Sequence, residues 1–257
     1  TGRAPFRNVL TYEKMLDEQG REMHGSWGNT ISAEDAFARM GADVMRWQYC
    51  AQPPSQNLLF GFGPGAVIKR KLLTLWNSVS FFVQYANIAG FAPAVGSGGP
   101  PDHPLDCWLE SRTARFVEDV TAAYEGYLSA QVLETAEAYV DDLSTWYIRR
   151  SRRRFWDGDE AALATLWHAL VTLVRVVSPV VPFLAEHLWG RLVRDVDGAA
   201  PASVFLAGWP EARPIDADLL AEVGDVRRVV DLGRQARAAA GHGLRQPLRL
   251  LKVDGAE

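Results

Sequence analysis

Apolar residues recur at spacings of three and four along most of this chain, and long polar faces run between them. From about Pro64, Ile68, Leu72, Leu75, Val79, Phe82 and Ala86 trace one stripe that Gly90 and Pro93 close, which predicts a long amphipathic helix. Leu105, Trp108, Arg112, Phe116, Val120 and Tyr127 trace a second, which bends or breaks near Gly126. Val132, Ala136, Val140, Leu143 and Tyr147 trace a third, from roughly Ser129 to Arg154. A fourth helix is predicted over roughly Glu160 to Ser178, and a fifth begins at Pro182, where proline suits a first helical turn. Asp216 to Ala240 reads as one more helix. "SVFLAGWP" reads as an extended crossing segment before it, and "LRQPLRLLKV" as a turn toward a strand after it. Long amphipathic helices with short connections imply a helical bundle.

The first sixty residues differ. "PFRNVLTY", residues 5–12, reads as a short strand, and "LDEQGRE" as a turn around Gly20. "SAED" is a helix-starting capping box through Ser32 and Asp35, and "ADVMRWQYCA" continues as a second short helix after Gly41. "QPPSQNLLFGFGPG" is rich in proline and glycine and marks a first domain boundary. Its "GFGPG" lacks the spacing of a phosphate-binding glycine loop, so a turn is the better reading.

Composition narrows the chemistry. Net charge is −4 with 48% hydrophobic residues, so a real core is available and any affinity for nucleic acid must come from local patches. No apolar leader opens the chain, and the run "ALVTLVRVVSPVVPFLA" is broken by Arg175, Pro179 and Pro182, as in a pair of core helices rather than a membrane span. Cys50 and Cys107 stand far apart, none of the histidines shows metal-ligand spacing, and GxSxG is absent. His187, behind Phe183 and beside Glu186, reads as structural. A reduced cytoplasm is the simplest setting. Thr1 is an unusual first residue, and the sequence is expected to be a piece of something longer.

Two basic stretches stand out. In "YIRRSRRRFW", Arg149, Arg150, Arg152, Arg153 and Arg154 crowd the end of a helix between aromatics. One reading is a helix C-terminus complementing its dipole, with pairs to Asp141, Asp142 or Asp157. The other is phosphate contact by part of the cluster, since five arginines exceed what those acids need. The aromatics Trp146, Tyr147 and Trp156 read as packing for this helix end. The second stretch, "GRQARAAAGHGLRQPLRLLK", carries Arg234, Arg237, Arg245, Arg249 and Lys252 with no acid among them. It is either a solvated face or a surface that follows a nucleic-acid backbone.

Taken in order, "MHGSWGN", "LWN", "LDCWLESR", "DDLSTWYIRRSRRRFW", "SPVVPFLAEHLW", "SVFLAGWP" and "LRQPL" resemble isoleucyl-tRNA synthetases, class Ia aminoacyl-tRNA synthetases. The resemblance covers essentially the whole chain as the C-terminal part of such an enzyme. It implies a mainly α fold: a small α/β stem-contact segment over 1–62, a helical anticodon-binding bundle over 63–211, and the start of a small α+β junction over 212–257. It implies tRNA, specifically tRNA(Ile), as partner, together with an upstream catalytic domain of the parent protein. That domain would carry the ATP-gripping His-x-Gly-His motif and amino-acid pocket, so ATP and Mg²⁺ are expected only there and no cofactor in this chain. The editing domain and any zinc module are likewise expected elsewhere.

"EMHGS", Glu22, Met23, His24, Gly25 and Ser26, occupies the place of the family's KMSKS loop, whose lysines stabilise charge growing on pyrophosphate as adenylate forms. Met23, Ser26, Gly28 and Asn29 keep its frame, but the lysine positions hold Glu22 and Gly25. Either Arg21 or Lys14 compensates, or activation has weakened. The resemblance thus leaves three functions open. They are a fragment of a synthetase that holds tRNA by its anticodon arm, a synthetase-like transferase that no longer makes adenylate, and a free-standing tRNA-binding module.

Overall fold

The computed structural model describes residues 4–93, 101–250 and 252–253. The chain enters as an exposed extended segment rather than the strand predicted over 5–12, and Phe6, Val9, Leu10 and Tyr12 lie in solvent. The strand forms slightly later. Met15–Leu16 (β1) pairs in parallel with Leu58–Leu59 (β2), because that is where a partner backbone lies. Leu16 also bridges Glu22 across the predicted turn, where Gly20 takes a left-handed conformation (φ +78°). Ala33–Arg39 (α1) starts as expected, with the Ser32 hydroxyl accepting from the Asp35 amide at 3.1 Å. Ala42–Cys50 (α2) follows and buries Val44 and Trp47.

"GFGPG" turns out to be a helix start. Phe62–Ala89 (α3) begins at Gly61, and its free N-terminal amides face protein groups. The Gly63 N–H donates to Glu18 Oε1 at 2.8 Å and the Gly61 N–H to Gln48 Oε1 at 3.2 Å. A Cβ on Gly61 would lie 2.1 Å from Cγ of Glu18, so only glycine lets the carboxylate come this close. Ile68, Leu72, Leu75, Val79, Phe82 and Ala86 are all buried, and Gly90 ends the helix at φ +66°.

Pro104–Glu125 (α4), Ser129–Asp141 (α5), Arg149–Trp156 (α6), Glu160–Val177 (α7) and Pro182–Trp189 (α8) complete the bundle. Between α5 and α6 the rod does not break but widens into a π-helical segment, Asp142–Ile148. The central element is α7, on which Leu163, Leu166, Leu170, Leu173, Val174 and Val176 are fully buried. Each such leucine contributes about 1.5–3 kcal/mol by leaving water. This helix has the length and hydropathy of a membrane span, but its apolar face is spent on the bundle. Opposite it, Phe116 and Tyr139 stack at 4.2 Å between α4 and α5, and Tyr139 and Thr113 share a buried 2.6 Å hydrogen bond.

The exposed His187 ring stacks on Trp76 at 5.3 Å. "SVFLAGWP" is not simply extended. Val204–Leu206 form a 3₁₀ turn that Ser203 caps, which drives Val204 into the core. Ala217–Ala239 (α9) is capped by Asp216 and rests on the bundle through Leu219, Leu220 and Val223 without fully burying any residue. Residues 244–250 form turns and bends, with no strand among the described residues there.

Candidate nucleic-acid interface

The five arginines of α6 divide by direction. Arg154 points inward, where Nη1 and Nη2 donate to Oδ1 and Oδ2 of Asp106 at 2.6 and 2.7 Å, and Nε to Asp159 at 2.7 Å. Asp106 is fully buried and also accepts from the Tyr147 hydroxyl at 2.7 Å. The bond to Asp106 raises the Arg154 pKa further, so this guanidinium is a fixed structural cation. Its acids come from α4 and from the cap of α7, not from Asp141, Asp142 or Asp157. Arg149, Arg150, Arg152 and Arg153 face outward, and the 3.8 Å approach of Arg153 to Asp157 is a loose surface pair. Trp146 and Tyr147 are buried as predicted. Trp156 is not; it is 62% exposed, and its indole N–H donates to the Tyr85 hydroxyl at 2.8 Å.

The π-helical segment sets what surrounds the outward arginines. Asp142, nearly buried, accepts from Arg112 Nε at 2.7 Å and from Arg227 Nη1 of α9 at 2.5 Å. One turn on, Trp146 carries the Arg150 guanidinium 3.8 Å above its ring, with Arg227 at 5.2 Å. Burial, and then the charges of Arg234, Arg149 and Arg227, lower the pKa of Arg150. Arg150 and Arg227 thus share one indole, and Arg234 of the second basic stretch lies near enough for its charge to act on Arg150. Arg234 also pairs with Asp231 at 3.2 Å. Arg237 is spent locally, donating to the carbonyls of Gly243 and Gln246, while Arg245 lies exposed in that turn.

At the other end of the molecule, Asp17 organises the loop of Glu22 to Ser26. It accepts from the amides of Gln19 and Arg21, from Arg21 Nε at 2.9 Å and from Asn29 Nδ2 at 3.0 Å. Asn29 also donates to the Glu22 carbonyl and accepts from the His24 amide, bracing the loop across its base. Gly25–Trp27 is a single 3₁₀ turn, with His24 edge-on to an exposed Trp27 at 4.3 Å. Lys14 is paired with Glu22, and the His24 ring lies 3.5 Å from the same carboxylate. Both cations that could replace the absent lysines are therefore engaged, Arg21 by Asp17 and Lys14 by Glu22.

Residues 106–252 match the family model described as the anticodon-binding domain of tRNA ligases. The chain belongs to that family. Residues 1–60 match the model of class I tRNA synthetases (I, L, M and V). An isoleucine–tRNA ligase of Streptomyces avermitilis is 41% identical over 99% of this chain, and one of Thermus thermophilus is 43% identical over 98%. Each match covers 25% of the relative, so the chain spans about a quarter of the length of the curated relatives it matches. Among solved structures, the LeuRS agnB2 of Agrobacterium radiobacter K84, in a ternary complex with tRNA and LeuAMS, superposes on 81% of this chain with a TM-score of 0.63. That match covers 24% of the solved chain at 16% identity, a likeness of fold.

Within this anticodon-binding domain, Arg149, Arg150 and Arg234 of the sequence-derived residues come together. Arg152 and Arg153 continue the surface along α6, and Arg154 leaves it. Arg227 was missed. The available signal was its spacing of seven from Arg234, which puts the two on the same helical face.

Proposed function

We propose that this chain is the tRNA-holding part of an isoleucyl-tRNA synthetase-like protein and grips the anticodon arm of tRNA(Ile), in the cytoplasm. The observation that carries this reading is the convergence of Arg150 and Arg227 on the Trp146 ring, with exposed Arg149 beside them, on a chain of net charge −4. A surface that concentrates guanidinium groups against the overall charge binds a polyanion by releasing its counterions. Arg152, Arg153 and Arg245 extend the contact to neighbouring phosphates. Phosphate contacts position the RNA, and discrimination falls to unpaired bases.

The upstream catalytic domain is the second partner in this reading, and ATP with Mg²⁺ would meet the Glu22–Ser26 loop only there. The engagement of Lys14 by Glu22 and of Arg21 by Asp17 favours a second reading, in which the parent uses tRNA without activating an amino acid efficiently. Loss of one charge-stabilising donor typically costs on the order of a hundred- to a thousandfold in rate.

The test is a salt titration of tRNA affinity. Arg149→Gln, Arg152→Gln and Arg153→Gln should each weaken binding and flatten the logarithmic salt slope by about one unit or less. Affinity and slope both indifferent to all three would exclude the surface. Gly25→Lys in the longer polypeptide, read by ATP–pyrophosphate exchange, separates the two readings. A large gain supports a weakened activation step, and an unchanged or lower rate means that another cation compensates or that this site no longer does the chemistry.

A further inference from the structure

Apolar surface is concentrated where the first sixty residues meet the bundle. A cleft of about 540 Å³ runs between α1, α2, α3 and the start of α8, a size that suits a small molecule. Its walls are aromatic and aliphatic, and Phe37, Leu73, Trp76 and Phe183 among them stay exposed, Phe183 at 67%. Large apolar side chains left in water around one concavity mark a binding surface rather than a solvated face. Free charge at the cleft is of one sign. Asp43 is the acid of the lining, and its carboxylate is already used, accepting from the amides of Phe183 and Leu184 at 3.3 and 2.7 Å. Lys69 is the cation. It is exposed and pairs with no acid among the described residues, whereas Lys71 beside it is held by Glu137 at 2.6 Å. Lys69, Leu73 and Trp76 follow at spacings of four and three, so they form a single stripe along α3. That stripe rises roughly 10 Å, with an ammonium at one end and an indole at the other.

We infer that this cleft is a binding site for a small monoanionic amphiphile, a carboxylate with an apolar tail roughly 10 Å long, the rise of the stripe. The carboxylate pairs with Lys69, and the tail lies against Leu73 and Trp76 in contact with Phe37 and Phe183. A neutral ligand would leave Lys69 unused, and a cationic one would be repelled by it. The site is independent of the tRNA reading, since a nucleic-acid backbone offers no apolar tail to fill the cleft. Both α1 and α8 contribute walls, so occupancy joins the loop-bearing segment to the bundle.

Isothermal titration calorimetry on the full chain tests this with octanoate as the probe, and with propanoate and octylammonium as controls for tail and charge. Octanoate is expected to bind one to one, at least about a hundredfold more tightly than propanoate, because its longer tail leaves water. It should also bind about tenfold more tightly than octylammonium, whose charge Lys69 repels. Lys69→Gln should lower octanoate affinity about fivefold and remove the preference over octylammonium. Leu73→Glu, also at an exposed position, should abolish octanoate binding while far-UV circular dichroism stays unchanged. No saturable octanoate binding, equal affinity for octylammonium, or a Lys69→Gln variant that binds as wild type does overturns the site. Sedimentation velocity supplies the remaining arm. A wild-type chain that self-associates whether or not octanoate is present, and turns monomeric on Leu73→Glu, makes a second copy the occupant and overturns the carboxylate.

Discussion

Arg154→Ala should be among the most destabilising single changes in this protein, although it removes one arginine from a run of five. Its guanidinium makes both bonds that Asp106 receives from a cation, and the Asp106 carboxylate has no exposure to water. After the change Asp106 keeps only the Tyr147 hydroxyl, at 2.7 Å, to stabilise a buried negative charge. Breaking such a pair costs about 3–5 kcal/mol, and this geometry belongs at the upper end. Asp106→Ala should cost less, about 3 kcal/mol, because Arg154 keeps Asp159 and Tyr147 keeps the Ala162 carbonyl at 3.2 Å. For a chain of this size, 4–5 kcal/mol lowers the thermal midpoint by roughly 10–20 °C. Urea unfolding followed by far-UV circular dichroism gives both values, and Asp106→Leu combined with Arg154→Met should lose less than Arg154→Ala alone, since no charge stays buried without a partner. Single variants within about 0.5 kcal/mol of wild type, or a larger loss for Asp106→Ala than for Arg154→Ala, would refute this account of the cluster.

Tyr139→Phe keeps the stack on Phe116 but leaves the Thr113 hydroxyl with one partner fewer, and should cost about 1 kcal/mol in urea unfolding. Bonds from the Asn29 side chain, the Arg21 amide, the Arg21 side chain and the Gln19 amide hold the Asp17 carboxyl well below the ordinary aspartate range. A depressed folded-state pKa stabilises above the unfolded value near 3.8 and is lost as pH falls through the folded value. The loop should therefore stay ordered at that pH and loosen only in stronger acid, and carboxyl NMR that found Asp17 titrating with ordinary aspartates would contradict it. Gly25→Lys should leave the unfolding midpoint unchanged, because the new side chain meets open space. Gly28→Ala, at φ +69°, should cost about 1–2 kcal/mol, which thermal unfolding would register.

The bundle was legible because burial imposes a period. Every residue of the Ile68–Ala86 stripe is buried, and the Ser32 cap starts its helix as local chemistry requires. The π-helical segment was not legible. Val132, Leu143 and Tyr147 fit the ordinary helical period, and one extra residue in a turn leaves no compositional mark. Nor could the arginine run be divided from within. What separates Arg154 from Arg153 is Asp106, 48 residues away in sequence and adjacent only once α4 and α6 pack. The apolar run over 5–12 looked like a strand, but a strand needs a second backbone, and β1 found its own across more than forty residues. Trp156 failed for the opposite reason, since hydrophobicity alone does not say which side of a helix end meets the core.

Glu18 and Asp17 are neighbours on one turn, yet they hold different things: Asp17 the loop, Glu18 the start of α3. That helix has 28 residues and so spans roughly 42 Å. Near its far end Phe81 meets Phe155 edge-on at 5.3 Å, and Tyr85 accepts from Trp156, both at the foot of the arginine-bearing α6. A single helix thus touches both places where the chain offers cations or amides to a phosphate: Glu18 fixes its first turn, the aromatic foot of α6 fixes its last turns, and the buried stripe between them holds the two at a set distance.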